Sequence, residues 1–356
     1  MSNNSDVEVE DQDETEESLP LKYSISSYGA DYPVDSVVKR IKNSDIIIPS
    51  FQRGYVWTLT RASRFIESLL LGLPVPGIFL ARDLDTNKLL VIDGQQRLKS
   101  LQYFYDGHFE PTGQEFTLKG VQSEFEGKSY QTLLEEDRRR LDDSIIHATV
   151  IKQDEPKDDD SSSVYHVFER LNTGGVSLQP QEIRASISRG AFNDLIKTLN
   201  KNEAWRSIYS IRKSPRMKDQ ELILRFFALY FRLDTYKKPL KGFLNTYMHD
   251  NRRLKLQSAE VLTNLFTVTI TKIYECIDVR AFRPRRTLNA AVFDAVMVGV
   301  ARRLAKGDIV NCEMMRDKYE NLLQNPEFIT ATDASTDERN VERRITLATE
   351  AFADIE

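Results

Sequence analysis

A chain of 356 residues with 40% hydrophobic and 29% charged side chains has the balance of a soluble globular protein and the length of roughly two domains. Its two cysteines, Cys276 and Cys312, both sit in apolar helical patterns, which argues against a disulfide framework or a cysteine zinc site and for a reducing compartment. No run approaches the roughly 18 apolar residues of a membrane span, and the acidic N-terminus is unlike a leader peptide, so the reading is cytoplasmic with no membrane partner.

The chain begins with a segment that explains its net charge of -5: residues 1–20 hold eight acids (Asp6, Glu8, Glu10, Asp11, Asp13, Glu14, Glu16, Glu17) and no Lys or Arg. Like charges with few apolar groups cannot offset their ordering entropy, so a disordered acidic tail is expected. Without it the chain stands at +3, and without the loop 154–160, five acids against Lys157, at +7. The body is therefore mildly basic. The acidic segments either aid solubility or, in the case of the tail, imitate DNA and compete for a basic face.

Beyond the tail, residues 32–43 read as a short helix and 46–49 as a strand that Pro49 ends. Residues 60–71 carry Phe65, Ile66, Leu69 and Leu70 at helical spacing, stopped by Gly72 and Pro74. Strands are expected at 77–84 and 88–92, joined by the hairpin-like turn Asp85-Thr86-Asn87, then a helix at 95–105 closed by Asp106-Gly107. An irregular insertion (108–128), a charged helix ending at Leu141 and a strand at 145–152 complete a mixed α/β half, placed at residues 21–190. Past the acidic loop the period becomes helical. Helices at 163–171 and 180–188 flank Asn172-Thr173-Gly174-Gly175, and 219–233, 259–277 and 288–304 show apolar stripes near 3.6, so 191–356 is expected to be an α-helical domain.

Three blocks compete for the chemistry. In Pro49-Ser50-Phe51-Gln52-Arg53-Gly54-Tyr55-Val56-Trp57 an amide and a guanidinium stand beside aromatics; an Arg fork suits phosphate and an aromatic ring can stack a base, while the plainer role for these aromatics is sealing the core. In Asp93-Gly94-Gln95-Gln96-Arg97-Leu98 a strand runs into a helix start, where unpaired N–H groups and the helix dipole attract anions. The plainer reading there is an Asp cap with a Gly turn. Phe168-Glu169-Arg170-Leu171-Asn172-Thr173-Gly174-Gly175, followed by Leu178 and Glu182-Ile183-Arg184, has a Gly pair suited to close ligand approach or to a simple helix–helix turn. No Gly-x-x-x-x-Gly-Lys-Ser/Thr run is present, so a conventional P-loop is excluded.

In this order the three blocks resemble the ParB-like N-terminal domain of GmrSD-type modification-dependent restriction endonucleases, found also in SspE-like phage-defence proteins. The resemblance covers about residues 32–188 and weakens into the helical part, where 219–230 looks like the family's continuation. It implies an α+β chain: a ParB/sulfiredoxin-like mixed α/β domain followed by an α-helical domain. It also implies binding and hydrolysis of a nucleoside triphosphate coupled to DNA cleavage in defence. Many relatives carry a C-terminal HNH nuclease whose ββα metal site needs histidines; downstream of His166 this chain has only His249, so the expectation is a chain without that nuclease, working with a separate nuclease effector or as a homo-oligomer.

The expected mechanism follows from the residues. Nucleotide phosphates would lie over the N–H groups of Gly94, Gln95 and Gln96, with Arg97 and Arg53 spreading charge, Asp93 holding Mg2+, and Gln52 or Gln96 positioning water. Tyr55 and Trp57 would flank the base or wall the pocket; Asn172, Gly174 and Gly175 would close it, with Glu182 and Arg184 bracing that turn as an ion pair. A separate DNA-binding face is expected at Arg283, Arg285 and Arg286, with Arg280, Arg302 and Arg303 nearby in sequence, or at Arg212, Lys213, Arg216 and Lys218; the plainer reading is a solvated surface. Two further classes stay open: a non-catalytic adaptor that binds DNA or a partner, and a direct DNA-nicking enzyme, the latter disfavoured because no acidic cluster with nuclease spacing is visible.

Overall fold

The computed structural model describes residues 9–10, 25–49, 55–83, 86–153, 163–171, 178–333 and 336–356. They divide into two units, residues 22–178 and residues 179–356 together with 1–21. The first strand, β1 (Val9–Glu10), belongs to the second unit.

The α/β unit is built on a five-stranded sheet. In chain order it contains β2 (Ile25–Pro33), α1 (Val34–Lys42), β3 (Ile46–Ile47), α2 (Leu59–Leu70), β4 (Ile78–Arg82), β5 (Leu89–Asp93) and α3 (Gln95–Asp106). There follow the short strands β6 (His108–Phe109) and β7 (Gln114–Glu115), then α4 (Glu135–Asp143), β8 (Ile145–Gln153) and α5 (Ser163–Leu171). The strand order is β2-β8-β4-β5-β3. β4 and β5 form the expected antiparallel hairpin, whereas β8 runs parallel to β4 and β3 parallel to β5. Such mixed order needs helical crossovers, which α1, α2 and α4 provide.

Four of the five residues of β5 are buried, as expected for a strand covered on both faces. Leu89 and Val91 point with Ile78 and Leu80 into a core filled from α1 to α3 by Val34, Val37, Ile66, Leu69, Leu98, Leu101 and Phe104. Leu90 and Ile92 alternate to the other face, and α5, with Tyr165 and Phe168 buried, packs against β5 and β8. Burying a side chain such as Phe104 contributes about 1.5–3 kcal/mol. The reading of residues 32–43 as one helix is corrected at its start: Tyr32 and Pro33 close β2, which pairs antiparallel with β8 from Ile25↔Gln153 to Pro33↔Ile145, and the helix begins at Val34.

The second unit is helical, as expected. It contains α6 (Pro180–Ile187), α7 (Ala191–Leu199), α8 (Glu203–Tyr209), α9 (Lys218–Arg232), α10 (Leu240–Asp250) and α11 (Ala259–Ile277). After β9 (Leu288–Asn289) come α12 (Ala290–Leu304), α13 (Cys312–Gln324), α14 (Pro326–Asp333) and α15 (Glu338–Phe352). The helix expected from 288 starts two residues later because Asn289 caps it, accepting from Val292 N, while Leu288 and Asn289 pair in parallel with Val9 and Glu10 of the acidic tail. α12 is buried along most of its length and packs on α9 and α15; a Cβ at Gly299 would sit 2.9 Å from the Ala348 carbonyl, so only glycine permits that approach.

Within this core Asp294 accepts from Arg225 Nε and Nη2 at 3.0 and 2.7 Å and from Arg344 Nη2 at 3.1 Å, with all three side chains at most 2% exposed. The cysteine expectation is corrected. Cys276 of α11 and Cys312 of α13 form a disulfide, brought together because these two helices pack against each other. No helix among the described residues is long and apolar enough to cross a membrane.

Candidate functional site

The turn between β5 and α3 is set by one glycine. Gly94 has φ +102°, and a Cβ there would stand 2.4 Å from Ile78 Cγ2, so both backbone and packing demand Gly. It is the residue before the helix, and it has no side chain to cap with, which leaves the first-turn N–H groups without an intrahelical partner. Asp93 therefore does not cap α3. Its Oδ2 accepts from Arg97 Nη2 at 2.8 Å, and the same nitrogen donates to Gly77 O at 3.0 Å, tying the end of β5 to the start of β4. The Arg97 side chain is 15% exposed and Asp93 47%. Asp93 Oδ1 has no hydrogen-bond partner among the described residues, and Arg97 Nε is buried without one. Gln95 is buried at the helix start.

Gln96 links this turn to a second loop. Its Oε1 accepts from Val56 N at 2.9 Å and Trp57 N at 3.3 Å, fixing the chain that emerges from the first sequence block. Ser100, one turn on, donates Oγ to Gln96 O at 2.7 Å; its hydroxyl has one proton, so in the 2.6 Å contact with Tyr55 the tyrosine is the donor. Burial pushes the Tyr55 hydroxyl up to about 12, so it stays protonated at neutral pH. Tyr55 packs edge-on against Tyr103 and Phe109, at 5.1 and 5.5 Å between ring centres, and Trp57 against Phe65 at 5.8 Å with the Arg61 guanidinium 4.8 Å over its ring. Both rings are partly buried and pack against the apolar core of the unit. The signal missed in the sequence was Gln96 as a clamp, a bond across 40 residues that no local pattern carries.

The structure brings together Asp93, Gly94, Gln95, Gln96 and Arg97 with Tyr55 and Trp57. Gln52, Arg53, Asn172, Gly174 and Gly175 lie outside the described residues. The brace expected between Glu182 and Arg184 is corrected. Two residues apart on a helix they face different directions, and each is buried in the helical unit with another partner: Glu182 with Arg216 at 3.1 Å, Arg184 with Glu221 at 2.8 Å and Asn245 at 2.7 Å. Burial raises the Glu182 carboxyl above its ordinary range.

Arg283 is also committed internally, donating to Val279 O at 2.9 Å and Tyr209 O at 3.1 Å, with burial lowering its pKa. Arg280, Arg285 and Arg286 are exposed. Arg303 is occupied by the carbonyls of Ile355 and Gly307, and Arg302 by Thr349. Among the described residues no group of three or more His, Cys, Asp or Glu side chains gathers as a metal cage. Two cavities are present in the α/β unit, one beside Leu73, Ser144 and His147 and one beside Arg40, Arg82 and Lys88; neither is lined by residues 93–97.

A mixed α/β domain with a glycine-set strand–turn–helix and a second loop clamped to it is the class that these residues define. Residues 34–188 match the family model described as GmrSD restriction endonuclease, N-terminal domain, in agreement with the range of the sequence resemblance. No curated protein matches the chain.

Proposed function

We propose that the α/β unit binds a nucleoside triphosphate at the β5–α3 turn and hydrolyses it, as the nucleotide-handling part of a restriction-type defence protein acting on DNA. The family of residues 34–188 supports the defence setting. The observation that carries the site is the meeting of two loops on Gln96.

In this reading the N–H groups of residues 94–96 and the Arg97 guanidinium receive the phosphate oxygens, already oriented by their contacts with Gly77 and Asp93. Water attacks the γ-phosphorus and the bond to the β–γ bridging oxygen breaks, giving nucleoside diphosphate and inorganic phosphate, with Gln52 or the Nε2 of Gln96 orienting the water. Magnesium is commonly held by one or two protein carboxylates together with nucleotide phosphates. Asp93, half exposed and with no partner for Oδ1 among the described residues, fits that requirement; the bound ion would neutralise phosphate charge. DNA contact is assigned to Arg285 and Arg286, exposed beside the committed Arg283.

A second reading has an observation of its own. Gln96 Oε1 and Asp93 Oδ2 are both used to hold the turn, which favours an adaptor that binds nucleotide without turnover and switches a partner or effector. Phosphate release from each of the four triphosphates, with calorimetric binding, separates the readings for wild type, Asp93→Ala and Arg97→Ala. Turnover abolished by either substitution supports the enzyme. Tight binding without release supports the adaptor. No nucleotide binding by the wild type overturns both.

A further inference from the structure

At the end of the sheet opposite Asp93 lies a cavity of about 410 Å³, within the roughly 300–1,000 Å³ of small-ligand sites. β4 ends there with Arg82 and β5 begins with Leu89, so the cavity is separated from Asp93 by the length of β5, about 13 Å. Three cations line it: Arg40 from α1, Arg82 from β4, and Lys88 just before β5. One carboxylate, Asp45, stands among them. None of the three cations forms an ion pair among the described residues, although their neighbours on α1 do: Lys39 pairs with Asp35 at 2.8 Å and Lys42 with Asp106 at 2.6 Å.

Two of the cations are held in place by aromatic rings rather than by charge. The Arg40 guanidinium lies 5.5 Å over Tyr32, and Arg82 lies 5.7 Å over Tyr28 while donating to its hydroxyl at 2.5 Å. Arg82 Nε is buried without a hydrogen-bond partner. Positioned cations with no ion-pair partner among the described residues are pre-organised for an external anion, because little side-chain freedom remains to be lost on binding. Against Asp45 the three leave an excess of two positive charges. A phosphate dianion or two successive phosphodiesters would balance it, and the planar Arg forks match phosphate oxygens.

We propose that this concavity is a phosphate-ester binding site, separate from the β5–α3 turn and independent of the function assigned to that turn. Two sources carry this chemistry, a small phosphorylated molecule and a nucleic-acid backbone. The test uses the full chain with two probes at low salt: inorganic pyrophosphate by calorimetry, and a labelled duplex of roughly 20 base pairs by fluorescence anisotropy. The double variant Arg40→Ala/Lys88→Ala removes side chains with no ion pair to lose, and a thermal melt checks that it folds like the wild type. Arg97→Ala serves as the control for the other site, and Arg40→Lys/Lys88→Arg retains the charges.

The expected result is a loss of about tenfold or more in affinity for one probe, the factor set by loss of a single charge-assisted contact. The same loss should appear when the double substitution is made in the Arg97→Ala background, and the charge-retaining variant should recover most of it. Loss for pyrophosphate identifies a small-molecule site; loss for the duplex alone identifies the backbone of nucleic acid. Wild type that binds neither probe, or a double variant that binds both as the wild type does, overturns the proposal. So does a double substitution that lowers neither affinity further in the Arg97→Ala background.

Discussion

Gly94→Ala tests the geometry on which the candidate site depends. A non-glycine residue at φ +102° costs about 1–2 kcal/mol from clash with its own backbone. The added methyl would also meet Ile78 Cγ2 at 2.4 Å and Cβ at 2.9 Å, and forced overpacking of a core costs about 1–3 kcal/mol. The sum, centred on about 3.5 kcal/mol, corresponds to a fall of about 7–14 °C in the melting temperature of the α/β unit at its size. Circular dichroism melts and urea titrations would read it. The two contributions separate in a double-mutant cycle with Ile78→Ala, which removes the clashing methyl and leaves the backbone strain. Gly94→Ala should then cost about 1–3 kcal/mol less than in the wild-type background. Were Gly94→Ala to fall within about 0.5 kcal/mol of wild type, or to cost the same in both backgrounds, the close approach of the turn to Ile78 would be refuted.

Three other perturbations address the helical unit. Asp294→Asn leaves two buried guanidiniums without their counter-charge and should cost about 3–5 kcal/mol in urea unfolding, as breaking a buried pair does; a cost below about 1 kcal/mol would show the cluster to be solvated. Arg283→Ala should destabilise by about 1–3 kcal/mol because it frees two carbonyls, whereas Arg285→Ala/Arg286→Ala should leave the melting temperature unchanged and lower the salt slope of duplex binding by up to about 2; an unchanged slope removes both residues from the DNA face. For Glu182, burial raises the folded-state pKa above the ordinary 4.5, so its stabilising contribution is complete below that pH and is lost as pH rises through the folded value. Glu182→Gln keeps an oxygen for the Gln179 N–H, so its stability relative to wild type should improve from about pH 4 to pH 7; a change of opposite sign refutes the assignment.

The parts of the fold legible in the sequence were those with a local period. α5 and α11 span the residues expected of them, α2 is shifted by one residue at each end and α3 runs one residue further, since their apolar stripes and end signals lie within one segment. The β4–β5 hairpin was legible for the same reason. β2 was not: Ile-Ser-Ser-Tyr-Gly-Ala-Asp-Tyr-Pro exposes four consecutive residues and has little apolar alternation, and its order comes from nine backbone pairings with β8, more than a hundred residues away. The cysteine pair was hidden similarly, because two helical stripes read separately do not show that their helices adjoin. At the site, Asp93-Gly94-Gln95-Gln96-Arg97 was visible as a block because a strand and a helix meet there. The fate of Arg184 was not, since its partners Glu221 and Asn245 come from later helices.

The same block also shows why a structural brace and a binding site need not be rival descriptions. Arg97 spends one nitrogen on Asp93 and Gly77, Gln96 spends its oxygen on Val56 and Trp57, and Asp93 spends one of its two carboxylate oxygens. Each therefore keeps hydrogen-bonding or ligating capacity while its rotamer is fixed by the other half of the group. Dipoles fixed before a charge arrives need not reorganise when it does, and this is the condition under which they stabilise an anion most in a partly buried site. A turn held only by backbone would leave three flexible polar side chains to be ordered by the ligand, at about 0.5–1.5 kcal/mol each. Here the fold has already ordered them, so under the proposed function the contacts that make the block look structural would also prepare it for phosphate.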